Sequence, residues 1–337
     1  MGGCYTSYRK SEEEIREERE REKIRNAREG FKKFAKTGKI ELLVESYIQF
    51  MHGNKSGFIE MLAIGAGIKN VLDIPKEFKD TEYEVKFDLS IDKKGKEPKL
   101  EDFLNAFDFP AVRNARFLKD PVNTIAEGVN NFYGTETDER LVVIEKAGAL
   151  YLKEKGSVIP LDLGVDYENI VIKRSEKRWK ASFEEVSGKV EEIKRDNLVD
   201  YKGKIRKEKG DAFILDACDG RIYSFTVTRA NLIKPGEKKE SDIQRQLEIE
   251  YAGYIPGFKG FEEDSEKQIV QGMVDLAKYN YVLYNNAPVD GCRMNLDITG
   301  ERKYDFVSGN KNRLGTIMPL LPGPRKARAN KEYANAK

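Results

Sequence analysis

A single histidine, His52, and a single tryptophan stand in 337 residues. With one imidazole, a Ser-His-Asp triad or a multi-histidine metal site would have to rest on His52 alone, in a loop-like Gly53-Asn54-Lys55-Ser56-Gly57 context. His52 is therefore expected to be an ordinary surface residue, and any catalysis must run on carboxylates, Lys, Arg and metal ions. Cys4, Cys218 and Cys292 are odd in number and form no C-x-x-C pair, which speaks against a disulfide framework or a zinc knuckle and for a reducing, cytoplasmic setting. No apolar run is long enough to span a bilayer, because the richest stretch, 40–74, is interrupted at 52–57; no transmembrane segment is expected. The start of the sequence also lacks an apolar secretory segment. A charge imbalance is missing too: 60 Lys and Arg face 58 Asp and Glu, a net charge of +2 that names no partner.

What is abundant is charge itself, at 35% of the chain. Residues 11–36 interleave Glu with Arg and Lys around a few apolar positions (Ile15, Ile24, Ala27, Phe31, Phe34), the pattern of a solvated helix with i,i+4 ion pairs. Two further apolar helical patterns, 40–50 and 58–72, complete a helical N-terminal appendage over 1–78. From Thr81 the period changes to two, and the alternation recurs near 82–91, 140–155, 168–175, 203–207, 211–217, 221–230 and 246–252, which predicts antiparallel strands. Residues 100–107 and 122–130 are expected to be helical, as is 263–284, where Ile269, Val270, Met273, Leu276, Ala277 and Tyr281 share a face. The strands and these helices define a domain over 79–284, followed by a loop-rich extension over 285–337 with a basic tail, Arg325-Lys326-Ala327-Arg328.

On a strand, Glu82, Glu84 and Lys86 share one face while Tyr83, Val85 and Phe87 share the other. Glu248 and Glu250 alternate in the same way with Leu247, Ile249 and Tyr251, and Lys153 and Lys155 with Leu150 and Leu152. Periodicity leaves two arrangements open. The charged faces can meet water on one side of an open sheet, or they can converge inside a curled sheet where cations must compensate the carboxylates. Asp216 is a further candidate acid, although the neighbouring Asp219-Gly220 suits a purely structural turn role equally well.

Glu82-x-Glu84-x-Lys86 resembles the E-x-E-x-K signature that opens the CYTH superfamily of triphosphate tunnel metalloenzymes. The segments downstream of it are similar to the family's in order: Asn131-Phe132-Tyr133-Gly134-Thr135 resembles the family's Tyr-x-Asp-Thr segment, and Leu150-Tyr151-Leu152-Lys153-Glu154-Lys155 its L-R-x-R strand. Ile172-Lys173, Lys204-Ile205-Arg206 and Glu248-Ile249-Glu250 resemble its phosphate-binding and closing acidic strands. Gly134 stands in place of the family's Asp, Lys153 and Lys155 in place of Arg, and the middle R-x-E-x-E strand is not readable around 178–185.

The resemblance, which covers 81 to about 252, implies an α+β fold: an antiparallel, eight-strand tunnel-like β-barrel with charged faces inward and apolar faces covered by flanking helices. It implies metal-dependent hydrolysis of a triphosphate, with Glu82, Glu84, Glu248 and Glu250 toward Mg²⁺ or Mn²⁺, Glu248 or Glu250 orienting water, and Lys86, Lys153, Lys155, Lys173 and Arg206 on phosphate oxygens. The substrate class spans inorganic tripolyphosphate, nucleoside or thiamine triphosphate and RNA 5′-triphosphate. The rival readings are a class IV-type adenylyl cyclase and a catalytically silent polyphosphate-binding or scaffold protein. The basic tail would suit contact with RNA, but it lacks interleaved aromatics and first of all resembles a solvated end. Met1-Gly2-Gly3-Cys4-Tyr5-Thr6 matches the N-myristoylation pattern, and acylation of Gly2 would add peripheral membrane association.

Overall fold

The alternating strands close into a barrel. The computed structural model describes residues 11–37, 39, 42, 58–68, 74–91, 102, 117–134, 140–161, 163, 170–195, 200–216, 218–233, 243–286 and 292–299. The expected helices at 40–50 and 100–107, His52 and the basic tail lie outside these residues, single positions apart. Among them the strands are β1 (Thr81–Ile91), β2 (Phe117–Gly134), β3 (Arg140–Lys146), β4 (Ala149–Ile159), β5 (Ile172–Ala181), β6 (Asp200–Asp216), β7 (Arg221–Ile233), β8 (Ile243–Tyr254) and β9 (Met294–Ile298). The helices are α1 (Glu12–Thr37), α2 (Phe58–Gly65), α3 (Phe183–Arg195) and α4 (Glu266–Asn286).

The sheet order is β5-β4-β3-β2-β6-β7-β8-β1-β9, and β5 pairs again with β1. This second pairing closes the first eight strands of that order into an antiparallel barrel, with β9 added beside the far end of β1. The closing seam is short, running from Thr81↔Ser175 to Glu84↔Ile172.

Two local features differ from the sequence expectation. Residues 122–130 are strand, not helix: β2 pairs with β6 along its length and with β3 over its last residues, so its backbone groups find partners across the sheet. The apolar spacing that suggested a helix is overridden by these neighbours. The stretch 140–155 is a hairpin, because Ala147 (φ 49°) and Gly148 (φ 74°) supply the two left-handed residues that a two-residue turn requires. Conversely, 203–207 and 211–217 fall largely on one long strand, β6, and the unreadable stretch 178–185 holds the end of β5 and the start of α3.

The main core lies outside the barrel wall. Tyr83, Val85 and Phe87 of β1, Phe225 and Val227 of β7, and Leu247 and Ile249 of β8 are buried against Ile269, Val270, Met273 and Leu276 of α4 and Met294 and Leu296 of β9. A Cβ on Gly272 would stand 2.1 Å from the Tyr223 hydroxyl, so only glycine allows α4 this close to β7. Ser265 precedes α4, while Ser11/Glu14 and Ser182/Glu185 form reciprocal caps that start α1 and α3. α3 rests Val186 and Val190 on Leu141, Val143 and Leu152.

The charged first part of α1 is exposed, with Glu17–Arg21 at 3.5 Å, while its last turns bury Ala27, Phe31 and Phe34 against α2 and against Leu215, Ile222, Ile255 and Phe258. Nearby, the fully buried Arg221 pairs with Glu77 at 2.7 Å and Asp219 at 2.9 Å and lies over the Phe261 ring, joining the chain before β1 to the β6–β7 turn. Asp216 accepts the Cys218 amide at 2.9 Å in that turn. No helix among the described residues is long and apolar enough to cross a membrane.

The Phe258 ring centroid lies 4.8 Å from Phe34 and 6.2 Å from Phe31. Phe258→Ala is expected to cost about 3–5 kcal/mol in denaturant unfolding. A loss below about 1 kcal/mol would show that the N-terminal helices contribute little to the stability of the barrel.

Candidate active site

With the apolar faces turned out, the alternation turns Glu82, Glu84 and Lys86 of β1, Lys153 and Lys155 of β4, and Glu248 and Glu250 of β8 into the barrel. Register adds residues from β5 and β6. Arg174 faces Glu82 directly across the closing seam, and Lys207 approaches Glu248 at 3.6 Å.

The pairs are tight. Lys155 Nζ donates to both oxygens of Glu82 at 2.7 Å. Arg174 donates through Nε to Glu82 at 2.5 Å and through a terminal nitrogen to Glu84 at 2.6 Å, forking across the two acids of β1. Lys86 lies 2.8 Å from Glu84, and Lys153 lies 2.7 Å from Glu176 and 3.7 Å from Glu82. Carboxylate oxygens of Glu82, Glu84 and Glu250 come within 4.8 Å of one another, a spacing at which one cation can be shared. Glu248 stands apart from this trio, two register pairs along from Glu250 and opposite Lys86. Next to it, Thr226 donates to Asp211 at 2.6 Å, and Asp211 pairs with Lys209 at 2.9 Å.

Burial and neighbours drive the titrations apart. Burial alone would raise the Glu82 pKa, but Lys155, then Lys153 and Arg174, outweigh it and hold the carboxyl well below its ordinary value. Glu84 is lowered likewise: burial raises it, and Lys86 and Arg174 prevail over Glu82. Glu250 moves the other way. Burial first, then the charges of Glu82 and Glu84, raise its pKa against the pull of Lys153. Burial lowers Lys155, Glu82 opposes this, and Lys153 and Arg174 add to it, leaving its pKa at about 7. Above that pH Glu82 still has Arg174 and Lys153 beside it.

Two residues singled out in the sequence lie elsewhere. Lys173 is on the outer face, 2.6 Å from Glu266 at the start of α4, and 5.9 Å over the Tyr83 ring. Arg206 is exposed and on the face opposite Lys207. In their place the barrel interior holds Arg174, Glu176 and Lys207. Both faces of β5 and of β6 carry charge, so alternation alone does not say which set turns inward; the pairing of Glu82 with Arg174 shows it for β5 and the approach of Lys207 to Glu248 for β6.

Removing Arg174 leaves Glu82 and Glu84 buried with one close partner fewer each. Arg174→Met is expected to destabilise the fold by about 3–5 kcal/mol near neutral pH, and the deficit should shrink as the pH falls and the two acids protonate. Glu250→Gln is expected to do the opposite. A carboxyl whose folded pKa is raised costs stability progressively as the pH climbs from the ordinary carboxyl range to the folded value, so the amide should raise the melting temperature at pH 7 and have no benefit at pH 4. Melting curves of both variants across pH check these signs.

No protein-family profile and no curated protein matches the sequence. Solved structures do align distantly. A conserved hypothetical protein of Pyrococcus furiosus is 19% identical, with 58% of this chain and 88% of that chain covered and a TM-score of 0.33. A Pyrococcus horikoshii OT3 protein is 16% identical over 59% and 89% of the two chains at a TM-score of 0.33. The Pct1 RNA triphosphatase of S. pombe is 14% identical over 60% and 84%, at 0.29. The fold is read from the barrel itself: a closed, eight-strand antiparallel wall with its apolar face outward and its carboxylates, ammonium groups and guanidinium inward fits the CYTH-like tunnel.

Proposed function

We propose that the tunnel binds a triphosphate chain together with a divalent cation and hydrolyses it. The observation that carries this reading is the placement of three carboxylates, Glu82, Glu84 and Glu250, within 4.8 Å of one another beside buried cations. Around these three carboxylates, Glu82, Glu84, Glu176, Glu248 and Glu250 face Lys86, Lys153, Lys155, Arg174 and Lys207, and Asp211 is matched by Lys209, so this part of the interior is close to neutral. A polyanion alone would upset that balance, as would a cation alone; entering together, the divalent ion offsets part of the phosphate charge.

The donor set fits Mg²⁺ or Mn²⁺, which take oxygen ligands from one or two carboxylates plus substrate phosphates. Glu82, Glu84 and Glu250 would hold the ion; Glu250, whose pKa is raised by burial and then by the charges of Glu82 and Glu84, is the carboxyl that a cation there would relieve most. When bound, such an ion neutralises charge on phosphate oxygens during an in-line displacement.

The chain's own residues supply the rest. Lys153 and Lys155, paired with Glu82 and Glu176, would hold phosphate oxygens, which would leave Glu82 free to act as a metal ligand. Arg174 keeps Glu82 and Glu84 in place through its fork, and Lys86 and Lys207 offer further donors. Glu248, opposite Lys86 in register and 3.6 Å from Lys207, would orient water.

Glu250→Gln is the informative variant because it disturbs the ion pairs least. With Mn²⁺ or Mg²⁺ the wild type is expected to release orthophosphate from a triphosphate, and Glu250→Gln to be at least about 100-fold slower. The same metal should raise the melting temperature of the wild type more than that of the variant. Pyrophosphate and cyclic AMP as products of ATP would replace the hydrolase with a cyclase. No turnover by folded wild-type protein would leave a phosphate-binding protein.

A further inference from the structure

At one end of the barrel the wall is uneven. β1 begins at Thr81, opposite Ser175, so β5 from Glu176 to Ala181 and the facing part of β4 run on past it as a lip that ends in the Ala147-Gly148 turn. An open cleft of about 400 Å³ lies on this lip, lined by Lys146, Ala147, Ala149, Tyr151, Arg178 and Lys180, with Trp179 alongside. That volume suits a small organic group.

Tyr151 and Arg178 are on the tunnel-facing side. Tyr151 is two residues from Lys153 and four from Lys155, so the ring and the two ammonium groups succeed one another along one face of β4 over about 13 Å. The Arg178 guanidinium lies over the Tyr151 ring, 5.2 Å from its centroid. Among the described residues no carboxylate is ion-paired with Arg178, and the side chain is exposed. Toward the other end of the barrel, the same inward face of β2, β3, β6 and β7 is filled by Phe132, Val142, Ile205, Ala230 and Leu232, all buried.

We propose that this cleft is a nucleobase subsite, in which Tyr151 and Arg178 stack on the base of a nucleoside 5′-triphosphate whose phosphates run inward along Lys153 and Lys155. The inference rests on the triphosphate reading of the tunnel and narrows its substrate class. A base needs a π face and a planar cation and makes no demand for a particular hydrogen-bond edge, which is what the two side chains offer. A bare phosphate chain has no use for the ring. The exposed Lys146 and Lys180 at the rim carry charge where the next phosphates of an RNA strand would lie, so the same chemistry serves a free nucleotide or the 5′ end of an RNA.

The test separates binding from turnover by using β,γ-imido ATP, a short RNA with a 5′ β,γ-imidotriphosphate, and inorganic imidotriphosphate, titrated calorimetrically with Mn²⁺ into wild type, Tyr151→Ala and Tyr151→Phe. Tyr151→Ala is expected to weaken ATP analogue binding about ten-fold, to leave imidotriphosphate within about two-fold, and to be rescued by Tyr151→Phe, which restores the ring. Equal weakening of all three probes, no weakening of any, or no binding of the nucleotide probes overturns the proposal. If Lys146→Gln with Lys180→Gln weakens only the RNA, and the RNA is the tightest ligand, the source is an RNA end; otherwise it is a free nucleotide. The expected split without phosphate release from the parent compounds keeps the subsite and removes the hydrolase. Phosphate release that Tyr151→Ala slows alike for tripolyphosphate and ATP keeps the hydrolase and removes the subsite.

Discussion

Closure of the barrel and assembly of its charged interior depend on one guanidinium. The seam between β1 and β5 is only four residue pairs long, and Arg174 sits in it, opposite Glu82 and reaching on to Glu84. A buried arginine is costly to desolvate, and so are the two acids. Each is tolerable only with the others, which makes this corner of the tunnel selective for one strand register: a slip by one residue would turn Arg174 to the apolar outer face and Lys173 into the tunnel. The outer residue has its own partner in Glu266 at the start of α4, so both sides of the seam hold the same register.

From this corner the interior spreads as a chain of acids and bases that neutralise one another. This mutual compensation explains how so many ionisable groups are tolerated inside one barrel, and its unevenness explains why they do not titrate alike. Glu82 and Glu84 have cations in contact and are held ionised, whereas Glu250 faces those two acids and is pushed toward its protonated form. The carboxyl least compensated by the protein is the one with most to gain from a bound cation. The apolar core has been displaced to the outside of the wall, under α4 and β9, because the inside is taken up by charge.

Much of the architecture was legible in the chain. Strict alternation in 82–87 and 247–251 marks strands with one apolar and one charged face; a closed antiparallel barrel was implied only by the resemblance of these and the intervening segments to a known family. Alternation failed where both faces are charged. Around Lys173-Arg174 and Arg206-Lys207 either parity is plausible, and the residues that reach the tunnel are the second of each pair. It failed again in 122–130, where side-chain spacing suggested a helix but two neighbouring strands claim the backbone, and at β9, which is short and gains its place only by pairing with β1.

The sequence by itself determined which side chains share a face, because the period of an extended chain is two and needs no tertiary information. It also determined that any chemistry runs on carboxylates and cations, since one histidine leaves little else. Which face turns inward was decided only in three dimensions, by the burial of Tyr83, Val85, Phe225 and Ile249 beneath α4. The partnership of Glu82 with Arg174, 92 positions apart, was likewise set by the strand order that closes the ring, a long-range pairing that no local pattern encodes.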